Sequence, residues 1–277
     1  MRSNRRPARD AHPSFRACRQ LFRAARIAIL LFILLFVAAS AWLTKSRSTD
    51  WNNSLWIKIY PINADGSDES AKYIASLTTE DFAPIEDFVV REASRYGKNV
   101  DRPLRVELGR PVEEQPPAVD PEPNMLDVMI WSLRMRWWAS NVASEQDEIE
   151  PDVRMFVRYH RPQEGFLLEN SVGLQKGMVG VVNARAGRSH RGANNVIIAH
   201  EFLHTLGATD KYDPSDGQPS VPDGLGEPDR KPLYPQRLAE IMGGRIALTA
   251  DEAVAYGVID EVITARDAAA LAALGAA

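Results

Sequence analysis

The stretch "AHEFLHTLGATDKYD", Ala199–Asp213, holds two histidines four residues apart, with a glutamate directly after the first. The apolar run "NVIIA" leads into it, the pattern of a helix with one face buried and the other lining a cleft. Four residues on a helix turn through about 400°, so His200 and His204 lie about 40° apart around the axis and roughly 6 Å apart along it. Both imidazoles can therefore reach one metal ion at about 2.0–2.1 Å. Gly207 follows, where a helix can stop and turn, and Asp210 and Asp213 lie in the segment beyond it.

In an H-E-x-x-H helix the glutamate takes a proton from the zinc-bound water instead of binding the metal, which assigns Glu201 as general base. The whole pattern, His200, Glu201, His204, Gly207 and Asp210, followed by "EIMGG" with Met242, resembles the metzincin clan of zinc peptidases. "HEFLHTLGATDKYD" is also similar to the active-site stretch of immune-inhibitor-A-type bacterial peptidases. The resemblance covers roughly residues 150–245, and only the short motif is specific. It implies an α+β, metzincin-like zinc peptidase domain with a mixed sheet and an active-site helix. It implies Zn²⁺ held by His200, His204 and Asp210, a peptide or protein substrate, and Met242 in a turn packed beneath the metal. Gly207 allows the positive φ that lets Asp210 fold back toward the ion. Asp213 from the same segment is the alternative. A gluzincin-like arrangement would draw on Glu227 or Glu240, and His160 and His190 are more distant candidates. No tyrosine follows Met242 directly, so transition-state assistance would fall to Tyr212 or Tyr234.

A second signal lies near the start. "IAILLFILLFVAASAWL", Ile27–Leu43, is apolar apart from one serine and would span about 25 Å as a helix, the low end for a bilayer crossing. Residues 1–26 carry eight arginines and one acid, Asp10, so the positive-inside rule keeps that end in the cytoplasm as a basic tail. The remainder is then extracytoplasmic, periplasmic or at the cell surface. A cleavable signal peptide is the alternative, with Ala39-Ser40-Ala41 as its cleavage pattern and a secreted product. Arg5-Arg6 stands too far from the apolar run for a good twin-arginine signal. Residues 27–277 have 25 Lys+Arg against 36 Asp+Glu, a net of −11 that argues against a nucleic-acid partner. The single cysteine, Cys18, lies in the tail, so the body can form no internal disulfide.

Within the body, residues 44–53 read as a polar stem, 44–123 as an N-terminal α/β part and 124–277 as the catalytic part. Strands are expected at Ser54–Ile62, Pro103–Gly109, Asp152–His160, Phe166–Gly173 and Gly177–Ala184. Helices are expected at Glu69–Leu77 and Thr79–Tyr96, the latter stopped by Gly97. Arg110–Pro123 reads as an extended connection. Leu126, Met129, Ile130, Leu133 and Trp137 fall at helical spacing and predict a packed core helix; Trp131, Trp137 and Trp138 are core on this view, not a ligand box. "GMVGVVNA" is expected at the sheet edge above the cleft, where a substrate can add as a strand, or as an ordinary sheet strand. "RAGRSHRGAN" is expected to be a flexible loop, with Asn194 as the N-cap of the motif helix. Pro214–Pro235 is a Pro/Gly/Asp-rich loop whose Asp213, Asp216 and Asp223 fit no EF-hand spacing, which disfavours calcium. Leu248–Ile263 resembles a piece of Clp-type and crotonase-like enzymes, but no Gly-x-Ser-x-Gly segment accompanies it. The competing function is a non-enzymatic extracytoplasmic binding or assembly protein with a zinc-stabilised domain; Glu201 favours the enzyme, because a structural zinc site does not need it.

Overall fold

Strict alternation in "LWIKIYPIN" makes strand β1 (Leu55–Asn63) the spine of a sheet. Its side chains at 55, 57 and 59 enter one apolar cluster, and those at 60 and 62 enter another on the opposite face. This is a computed structural model, and it describes residues 13–49, 51, 53–98, 100–118, 124–146, 149–163, 168–213, 219–221, 223–233 and 240–243. The chain divides into two units, 1–47 and 48–277.

In the first unit, helix α1 runs Pro13–Thr49. Residues 44–49, expected as a polar stem, are helical, because nothing between Leu43 and Thr49 breaks the helix. The window Phe22–Ala39 has mean hydropathy 2.3 and none of it is buried, so by length and composition this helix can cross a membrane.

The second unit is α+β. After β1 come helices α2 (Asp68–Ala75) and α3 (Ala83–Arg95), then strand β2 (Leu104–Leu108). The expected helix from Thr79 opens as a 3₁₀ turn, Thr79–Phe82, under a capping box in which Thr78 N–H donates to Asp81 Oδ2 at 2.9 Å. Pro84 then starts α3, and Gly97 leaves it at φ +69°. Helix α4 spans Met125–Gln146. Strands β3 (Val153–His160), β4 (Val172–Leu174) and β5 (Val179–Arg185) precede helix α5 (Arg191–Leu206).

The sheet order is β2-β1-β3-β5-β4, parallel except for β4, which runs antiparallel to β5. Pro61 is tolerated in this central strand because pairing with β2 ends at Ile59↔Leu108, so its missing N–H falls where β2 has already stopped. One face of the sheet carries the cluster with α2, α3 and α5 (Ile74, Ile85, Val89, Val196, Phe202); the other carries Met135, Trp138, Ala139 and Val142 of α4.

Three expectations are corrected. The stripe Leu126, Met129, Ile130, Leu133, Trp137 is not core: each of these side chains is about half exposed or more, and α4 packs through its opposite side. Both sides of the helix are apolar, so spacing alone does not choose between them. Trp131 Nε1 donates to the Pro117 carbonyl at 2.9 Å and Trp138 Nε1 to Glu114 Oε2 at 3.2 Å, so these indoles fasten the 110–118 connection to α4. "GMVGVVNA" is not the edge but an ordinary sheet strand, the other position expected of it: β5 lies between β3 and β4, and the edge is β4, which folds back on β5 through the turn at Gln175–Met178. "RAGRSHRGAN" holds a 3₁₀ turn (Arg188–His190) and the first turn of α5, with His190, not Asn194, at the cap. Asn194 instead clasps the end of β5, accepting from Arg185 N–H at 3.2 Å and donating to its carbonyl at 2.9 Å.

Candidate metal centre

Helix α5 lies on the sheet with Val196, Ile198, Ala199 and Phe202 in the core, and this burial carries His200 and Glu201 with it. His200 Nδ1 stands 3.0 Å from the Ile241 carbonyl, and His204 Nδ1 stands 2.9 Å from the Ala208 carbonyl. A carbonyl only accepts, so each Nδ1 carries the proton and each Nε2 presents a lone pair. Burial pushes the His200 pKa below its ordinary value, which favours that neutral form; the Ile241 carbonyl opposes the shift.

The two Nε2 atoms are 3.0 Å apart, and each lies 3.3 Å from Asp210 Oδ1. Three lone-pair atoms therefore converge with no proton assigned between them, an arrangement that a cation resolves. Ligand atoms held about 2.0–2.1 Å from one tetrahedral ion stand about 3.3 Å from each other, so the spacing fits. His200, His204 and Asp210 can hold a metal ion, and they are the one such group among the described residues. Two imidazoles and a carboxylate suit zinc and also ferrous iron, so the donors alone do not name the metal.

Gly207 brings Asp210 into place. It caps α5 in the left-handed region at φ +99°, and a Cβ there would collide with the Gln175 side-chain amide. Asp213 is exposed and does not join the group. Glu240 instead accepts the Met242 N–H at 2.9 Å and lies 3.7 Å from Lys211 Nζ, and Glu227 pairs with Arg230 at 3.2 Å. His160 lies at the end of β3, against Asn183 at 3.2 Å, and His190 caps α5. Asp223 is not in the metal group. Tyr212 forms a bridge with Pro219, while Tyr234, Asp216 and Leu248–Ile263 lie outside the described residues.

Glu201 is buried, and its Oε2 has no hydrogen-bond partner among the described residues. Burial and then the charge of Asp210 push its pKa up to about 8, against a hydrogen bond from the Gly173 backbone. Gly173 is a site residue that motif reasoning missed. A Cβ on it would run into the Glu201 carbonyl oxygen and come within 2.6 Å of His204 Cβ, so only glycine lets edge strand β4 lie against α5. A glycine closing the expected strand Phe166–Gly173 was the available signal.

Met242 is 2% exposed and sits in the core cluster beneath α5. Its carbonyl accepts from Lys211 N–H at 2.7 Å, and the preceding residue supplies the carbonyl that orients His200. The Ile241 and Ala208 carbonyls could not be found from sequence, because any residue type offers one.

The chain matches no family model and no curated protein. Among solved structures it is similar to one described as "Structure of a chaperone-substrate complex", at 13% identity and TM-score 0.35, over 70% of this chain and 28% of that one. The chain thus spans under a third of that protein, and the likeness is too slight to bear on function.

Proposed function

We propose that this chain is a membrane-tethered, zinc-dependent peptidase of metzincin type, with residues 1–26 in the cytoplasm and the body outside it. The carrying observation is a buried carboxylate, Glu201, that follows one of three convergent metal donors and has an unsatisfied oxygen. A site built only to hold a metal has no use for that costly group. A bound zinc ion supplies a Lewis acid that polarises a carbonyl and acidifies water. Glu201 is the base that accepts the proton of the attacking water and returns it to the leaving amine; the charge of a bound cation would oppose the burial and the Asp210 charge that raise its pKa, and so favour the carboxylate. His200 and His204 are held in one tautomer by the Ile241 and Ala208 carbonyls, and Asp210 completes the donor set. An extended peptide suits the site, because edge strand β4 passes beside Glu201 and His204 and can pair with another strand.

The test uses the full chain loaded with zinc, on casein, a peptide library and envelope proteins. Glu201→Gln should keep metal and fold while losing about 10²–10⁴ of the hydrolysis rate. Equal cleavage by both forms, or no cleavage by either, would favour a zinc-stabilised binding protein. Orientation is checked separately: reporter fusions after Leu43 should be active only outside the cytoplasm, and cytoplasmic activity alone would reverse the topology.

A further inference from the structure

We propose that the outward face of α4 is a membrane-interface surface, which lays the body on the bilayer that α1 crosses. At about 100° per residue, Leu126, Met129, Ile130, Leu133 and Trp137 fall within one arc about 100° wide. All are exposed, Leu126 at 63%, Leu133 at 53% and Trp137 at 69%, and Met125 extends the patch at the helix start. The core side of α4, with Met135, Ala139 and Val142, is directly opposite. A contiguous exposed patch of this kind marks a binding surface in a soluble domain.

Charge and tether length select a lipid surface as its occupant. Arg134 and Arg136 lie on either side of the stripe, and Asp127 is the only acid from Met125 to Ser144. Arg136 packs on Gly177, next to exposed Lys176. Glu150 lies against Ser140 at the far end of α4 and Glu114 against Trp138, so the cationic surface is confined to the stretch around Arg134, Arg136 and Lys176, where it complements anionic headgroups. Apolar Leu, Met and Trp with flanking arginines are the composition of a helix lying in the interface. Tether length points the same way. The apolar run ends at Leu43 and β1 begins at Leu55, and twelve residue steps span at most about 40 Å. A body on such a leash stays within reach of the bilayer, where binding α4 costs little extra ordering.

The inference rests on α1 remaining as an anchor, and it is independent of catalysis. Its test uses the full chain as Cys18→Ala with a single Leu133→Cys, carrying an environment-sensitive fluorophore. The protein is reconstituted in phosphatidylcholine–phosphatidylglycerol vesicles. A second sample carries the label at Arg95→Cys, on the opposite face of the sheet. The label at 133 should shift to the blue and lose most of its emission when the lipids carry brominated acyl chains. The label at 95 should do neither. Adding Met129→Gln and Leu126→Gln should abolish the quenching at 133 with circular dichroism unchanged. Water-like emission at 133 overturns the proposal. A blue shift without quenching also overturns it, because protein then covers the face, whether a second copy or another part of this chain. An intact mass lacking residues 1–43 overturns it by removing the tether, and leaves the Glu201 test untouched.

Discussion

Helices α5 and α4 lie on opposite faces of one sheet and treat their apolar residues in opposite ways. α5 buries Val196, Ile198 and Phe202, and with them the polar Asn194, Asn195, His200, Glu201 and Thr205. α4 buries Met135, Trp138, Ala139, Val142 and Ala143, yet leaves Leu126, Met129, Ile130, Leu133 and Trp137 in solvent. The histidines of the candidate metal group thus sit on the helix that buries polar groups, and exposed apolar surface sits on the other. The difference teaches that hydrophobic residues mark where a helix can pack, whereas a buried polar residue needs a partner: Asn194 and Thr205 find theirs in the backbone, and the two histidines converge with Asp210.

The sharpest break of this contrast is inside α4 itself. Met135→Ala on its core side should cost about 2–5 kcal/mol in denaturant unfolding, as for any fully buried methionine. A loss under about 1 kcal/mol would mean that α4 is not anchored through this face.

The next largest effect is expected just beyond α5, at the third donor of the candidate metal group. Asp210→Ala should weaken zinc binding by about 100-fold or more, beyond the usual 10–100-fold effect of groups that only orient ligands. Asp213→Ala should leave affinity unchanged, and zinc titration with a competing chelator reads both. Equal affinities in wild type and Asp210→Ala would remove the third donor.

Gly173→Ala comes third. Its added Cβ meets backbone, which cannot swing aside, so β4 must move off α5 at a cost of about 1–3 kcal/mol. Zinc affinity should fall with stability, because the displaced contact includes His204. Unchanged melting and zinc content would show that β4 is not seated on the helix.

The smallest effect is expected on the outer face of α4, where Leu133→Gln should change stability by less than about 0.5 kcal/mol in detergent or without lipid. A loss comparable to that of Met135→Ala would mean that Leu133 packs against protein.

Much of this molecule is legible in its sequence. The strands at 55–63, 104–108 and 153–160 follow from alternation, and α5 from its apolar run and Gly207. The donors His200 and His204 follow from helical pitch, and Asp210 from the resemblance together with the turn at Gly207. The edge position of β4 was not legible, because a three-residue strand carries too little pattern and strand order depends on how the chain returns. Nor was the start of α5, since Asn194 is as good a clasp for β5 as it is a cap.

What the sequence determined by itself is what depends on neighbours along the chain: helical pitch places two imidazoles on one face, and a glycine permits the left-handed turn after them. Tertiary structure alone decided which of α4's two apolar sides is core, which strand forms the edge, and which carbonyls orient the histidines. Those choices depend on groups brought together from distant positions, as when Ile241 meets His200, and no local periodicity encodes a partner forty-one residues away.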